Sequence, residues 1–147
     1  MTSMQVEKAP WIYRSVAGYR AIMDWYDRNL ELLPVAWESK WVETTSGKSH
    51  VLALGEEDAP PIVILHGISI NALAIRRFLL PFARSHRVYA PDIIGQAGKS
   101  AAVRHDRSGS GYPQWLVEVL DGLGLERVPV LGISFGGWLA MKLAGLA

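Results

Sequence analysis

The run Pro61-Ile62-Val63-Ile64-Leu65 limits the choice of fold more than any other stretch of the chain. It is continuously apolar, so it buries both of its faces, as central strands of parallel sheets do. Pro60-Pro61 opens it and His66-Gly67 closes it. Downstream, helical and strand patterns alternate. Residues 72–83 read as a helix through Leu73, Ile75, Leu79, Leu80 and Phe82, with Pro81 making its last turn irregular. Arg87 to Ala90 reads as a strand, and a Gly, Arg and Ser-rich loop runs from Gly95 to Gly111. Tyr112 to Leu123 reads as a helix, Arg127 to Leu131 as a strand, and the chain from Phe135 onward as a helix. Strands alternating with helices imply right-handed crossovers, and so an α/β fold with a mostly parallel sheet.

The upstream third differs. Val16, Tyr19, Ile22, Met23, Tyr26 and Leu30 recur at helical spacing, predicting a helix over about Ser15 to Leu32 that Pro34 stops. Trp37 to Thr45 and His50 to Leu54 read as a hairpin around Thr45-Ser46-Gly47-Lys48. Residues 1–36 are thus expected to form an N-terminal extension with a helix, and residues 37–147 the core.

Composition excludes several function classes. The 147 residues suffice for one domain. Fifteen Lys and Arg against fourteen Asp and Glu leave a net charge of +1, no electrostatic footprint for nucleic acid. Cysteine is absent, which removes disulfides, thiolate metal sites and cysteine nucleophiles. No metal or other cofactor is expected. Met1 to Pro10 carries Glu7 and Lys8 and no apolar run of leader type. No uncharged apolar stretch is long enough for a membrane span. A cytoplasmic location is therefore expected.

The sharpest local signal is Gly132-Ile133-Ser134-Phe135-Gly136-Gly137, a Gly-x-Ser-x-Gly pattern between a strand run and a helical run. A serine on such a tight turn projects its hydroxyl above the sheet, and small residues two positions away on either side keep the turn open. The following helix offers free N–H groups to negative charge developing beside the serine, Phe135 N–H first. The plainer reading is a glycine-lined turn with a helix-capping serine; the buried strand just before it favours a nucleophile. His66-Gly67 ends the first central strand, and its loop can supply a second N–H, assigned to Ile68. His66 reads as a hydrogen-bonding residue of that loop rather than as a catalytic base.

Leu65-His66-Gly67, Asp92-Ile93-Ile94-Gly95-Gln96-Ala97-Gly98-Lys99-Ser100 and Gly132 to Gly137 stand in the order and at the spacing of a known family. From about Trp37 onward the chain resembles the N-terminal part of an α/β-hydrolase, in the group of lidded carboxylesterases and related serine hydrolases. The resemblance implies Ser134 as nucleophile and the N–H groups of Ile68 and Phe135 as oxyanion donors. The middle motif departs from Asp-x-x-Gly-x-Gly-x-Ser by one extra residue. Gly98-Lys99-Ser100 is not a phosphate loop, because Ile93 stands where the first glycine is required. Asp92 reads as a loop-structuring carboxylate.

In this fold the acid and the histidine follow the serine. The 13 residues after Ser134 contain no His, Asp or Glu, and His50, His66, His86 and His105 all precede it. The resemblance also implies a larger sheet. The expectation is therefore a chain truncated after the elbow and its helix, forming one part of an enzyme whose acid and histidine come from a complementary C-terminal polypeptide. The function expected of the whole is hydrolysis of small carboxylic esters through an acyl-enzyme. Alternatives are a serine-dependent thioester, amide or carbon–carbon bond hydrolase, and an inactive α/β fragment that binds a complementary chain.

Overall fold

The computed structural model describes residues 8–146. Residues 1–7, which hold most of the segment read as lacking a leader, and residue 147 lie outside the described residues. The elements are α1 (Val16–Glu31), β1 (Trp37–Thr44), β2 (Gly47–Leu54), β3 (Pro61–Leu65), a 3₁₀ turn (Leu73–Ile75), α2 (Arg76–Ala83), β4 (Arg87–Pro91), α3 (Gly111–Gly122), β5 (Val130–Gly132) and α4 (Phe135–Ala144).

Local chemistry sets the boundaries. Ser15 caps α1, its Oγ accepting from the Gly18 N–H at 3.0 Å. The hairpin turns at Gly47, whose φ of +115° suits glycine. The single helix read over residues 72–83 is a 3₁₀ turn followed by α2, with Asn71 Oδ1 accepting from the Ala74 N–H at 2.9 Å. The last strand is shorter than its sequence pattern. Pro129 has no N–H to donate, although its carbonyl accepts from Val63 N–H at 2.9 Å.

The five strands lie in the order β1-β2-β4-β3-β5. The expectation of a mostly parallel sheet is corrected, because the sheet is mixed. β1–β2 and β2–β4 pair antiparallel, whereas β3–β4 and β3–β5 pair parallel. The physical reason is the two-residue hairpin, which reverses β2 against β1 before the crossovers begin. The inference from the apolar run holds for β3 itself, which lies between two parallel neighbours.

β3 joins two cores through its alternating side chains. Ile62 and Ile64 face a cluster with Tyr26 and Leu30 of α1, Leu52 and Leu54 of β2, Leu73 and Leu79. Val63 and Leu65 face the other, with Trp115, Leu116 and Val119 of α3 and Phe135 and Leu139 of α4. Val63, Ile64 and Leu65 have no exposed surface, and each such side chain contributes roughly 1.5–3 kcal/mol by burial. The expectation of a core broken off after the elbow is corrected by this packing: helices cover both faces of the five-stranded sheet, and a contiguous apolar cluster forms on each. Among the described residues no helix is long and apolar enough to cross a membrane.

Candidate active site

β5 delivers the chain to Ser134 and α4 begins at the next residue. Ser134 sits at φ 53° and ψ −113°, a strained conformation for a residue with a side chain. The flanking glycines are required by close approach. A Cβ on Gly132 would run into the Gly136 backbone, and one on Gly136 into the Leu65 carbonyl oxygen. Ile133 N–H donates to Leu65 O at 3.0 Å and Gly136 N–H to Ile133 O at 2.9 Å, which fastens the elbow to the end of β3.

The loop leaving β3 passes beside this serine. A Cβ built on Gly67 would stand 3.8 Å from Ser134 Cβ. Ile68, Ser134 and Phe135, the three residues singled out in the sequence, therefore line one cleft of about 340 Å³, together with Arg107 and Trp138. Among the described residues the N–H groups of Ile68 and Phe135 have no hydrogen-bond partner, and neither does Ser134 Oγ.

A buried polar network braces the Gly67–Ala72 loop. Gln96 Oε1 accepts from Ser69 N–H at 2.7 Å, holding Ser69 at a φ of +62°. Asn71 Nδ2 donates to Ala97 O at 3.0 Å. Asp92 gathers four donors. Oδ1 accepts from Ala72 N–H at 2.8 Å and Tyr26 O–H at 3.1 Å, and Oδ2 from His50 Nδ1 at 2.9 Å and Lys99 N–H at 3.0 Å. Burial pushes this carboxyl's pKa up, but the bond and charge of His50 and the Ala72 N–H outweigh it and hold it below 3.8.

His66 belongs to the same brace. Ile93 N–H can only donate, so His66 Nε2, 2.9 Å away, is the acceptor. Nδ1 therefore carries the proton and donates to Gly67 O at 2.6 Å. Burial lowers the pKa of His66 and keeps the ring neutral.

The expected absence of an acid–histidine pair is corrected. His50 and Asp92 form one at 2.9 Å, both fully buried. Both residues precede the serine, so a search confined to the chain after Ser134 passes over them. His50 Nε2 stands 2.8 Å from Ser39 Oγ, so both ring nitrogens are engaged, and no hydrogen bond joins this pair to Ser134. The expectation of one part of an enzyme whose acid and histidine come from a complementary polypeptide is corrected accordingly, because a histidine and an acid pair within this chain.

The elbow, the adjoining loop and the helix after the serine all lie in the segment, residues 60–147, that matches the α/β hydrolase fold family. The chain belongs to the α/β-hydrolase family. It is 38% identical over 117 residues to an uncharacterized carboxylesterase, nap, of Bacillus subtilis, a match covering 80% of this chain and 39% of that protein. Two solved structures from Bacillus subtilis are similar. Naproxen esterase (carboxylesterase NP) superposes with a TM-score of 0.77 at 35% identity, covering 89% of this chain and 46% of that one. Carboxylesterase CesB (YbfK) superposes with a TM-score of 0.80 at 32% identity, covering 90% and 46%. The chain thus spans 39% of the length of the curated relative and less than half of either solved chain.

Two lining residues of this α/β-hydrolase cleft escaped the sequence reading. Trp138 reads as a packing residue in a helical pattern, yet its ring stacks on Phe135 at 5.2 Å and faces the cleft. Arg107 lies in a loop with no periodicity, so no local signal marks it. Lys99 serves no phosphate: its backbone N–H binds Asp92 and its Nζ pairs with Asp27 at 2.5 Å.

Proposed function

We propose that this α/β-hydrolase cleaves carboxylic esters, with Ser134 as nucleophile. The observation that carries this reading is a strained serine sharing one cleft with Ile68 and Phe135, whose N–H groups have no partner among the described residues. Ser134 Oγ attacks the ester carbonyl as its proton passes to a base. The two N–H groups hold the oxyanion of the tetrahedral intermediate. Collapse expels the alcohol, which takes the proton, and leaves an acyl-serine. Water then attacks that ester, releasing the acid and restoring the hydroxyl. Esters are favoured over thioesters, amides or carbon–carbon bonds because similar proteins carry carboxylesterase names. A cytoplasmic setting belongs to the same reading, since a cysteine-free chain asks for no oxidising compartment.

The test is Ser134→Ala with short 4-nitrophenyl esters, alongside covalent labelling by an alkyl phosphonate and peptide mass mapping. Loss of turnover by about 10³-fold or more and labelling confined to Ser134 are expected. Undiminished turnover by Ser134→Ala, or labelling elsewhere, overturns the assignment.

A further inference from the structure

Arg107 stands at the cleft in an unusual state of engagement. Its guanidinium lies over the Phe135 ring, 5.3 Å from the centroid. Stacking occupies the flat face of the group, while its five N–H donors lie in the plane and stay available at the edge. Among the described residues Arg107 makes no hydrogen bond and no ion pair. The neighbouring carboxylate does not compete, because Asp106 Oδ1 accepts from Ser108 N–H at 2.9 Å and Ser108 Oγ–H at 2.8 Å. Among the described residues no acidic side chain lines the cleft. A second cation lies against the same aromatic pair: Lys142 Nζ is 5.9 Å from the Trp138 centroid. The aromatic stack holds Arg107 in place, which reduces the side-chain entropy lost when its edge takes a ligand.

We propose that Arg107 is a specificity residue that selects esters bearing a second, ionised carboxylate, such as hemiesters of short dicarboxylic acids. The ester carbonyl sits at Ser134, the carbon chain lies along Ile68 and the Phe135–Trp138 stack, and the distal carboxylate meets the guanidinium edge. The assignment rests on the ester-hydrolase reading, and the two fail separately.

Binding of monomethyl glutarate and of methyl pentanoate, its neutral counterpart, is measured on the Ser134→Ala chain by NMR titration of the indole N–H signals. The anion is expected to bind about fivefold tighter at low salt, the range of an exposed ion pair. The preference should fall to near parity in the doubly substituted Ser134→Ala, Arg107→Gln chain, and also in about 0.5 M salt. Parity in the single variant, no binding of either ester, or a preference that survives Arg107→Gln overturns the proposal. Hydrolysis is then followed in the unsubstituted chain. Selective binding without turnover removes the nucleophile reading and leaves the anion site standing. Turnover without selectivity does the reverse.

Discussion

Replacing Asp92 by Asn removes one charge and one acceptor from a buried site where four donors converge. If the amide oxygen takes the Oδ1 position, Ala72 N–H and Tyr26 O–H keep their acceptor. The amide nitrogen then faces Lys99 N–H, which is left without a partner, and His50 Nδ1, whose ring must change tautomer. Water cannot repair the damage, because the Gly98 backbone packs so tightly that a Cβ there would stand 2.6 Å from Asp92 Cγ. Two hydrogen bonds to a charged acceptor are lost, each worth about 1.5–3 kcal/mol, so the expected cost is about 3–6 kcal/mol. That is a large fraction of the roughly 5–15 kcal/mol that stabilises a typical domain. Urea titration followed by tryptophan fluorescence reads it directly. With a slope of about 2 kcal/mol per molar urea, the midpoint should fall by roughly 2 M. A loss below about 1 kcal/mol at unchanged slope would refute the reasoning, because Asp92 would then not organise the loop beside Ser134.

Two other perturbations test the site from different directions. Ser134→Gly should raise stability by about 1 kcal/mol, since glycine accepts the observed φ while losing more chain entropy, and it should abolish phosphonate labelling. Urea midpoints that fall, or labelling that persists, contradict this. Stability should also decline as pH falls below about 6.5, because unfolded His66 takes up a proton there while the folded ring, its pKa lowered, does not. The decline approaches one proton's worth, about 1.4 kcal/mol per pH unit, until the folded value is passed. The Asp92 contribution has a different window, being present above 3.8 and lost as pH falls through its lower folded value. Urea titrations between pH 7.5 and 5 that show no change would reject the neutral, buried His66.

The strands and helices of the crossover region were legible because each carries its own periodicity. β3 matches Pro61 to Leu65 residue for residue, and α4 starts directly after Ser134 as the glycine spacing implies. Boundaries slipped where a contact rather than a pattern decides them, as at Pro129 and at the Asn71 cap. Sheet direction also slipped. An apolar run shows that a strand is covered on both faces, but its pairing partners are chosen by the chain's path, and the antiparallel β2 came to lie against β4.

The order of strands and helices and the strand-to-helix turn at Ser134 were determined by the sequence alone, because glycine spacing and strand-to-helix succession act within a few residues. Only the tertiary structure decided what lies across the sheet from what. His50 and Asp92 are 42 residues apart and meet because β2 pairs with β4. Arg107 reaches the serine cleft because its loop folds back over Phe135. Such meetings depend on how distant segments pack, and local chain chemistry carries no record of them.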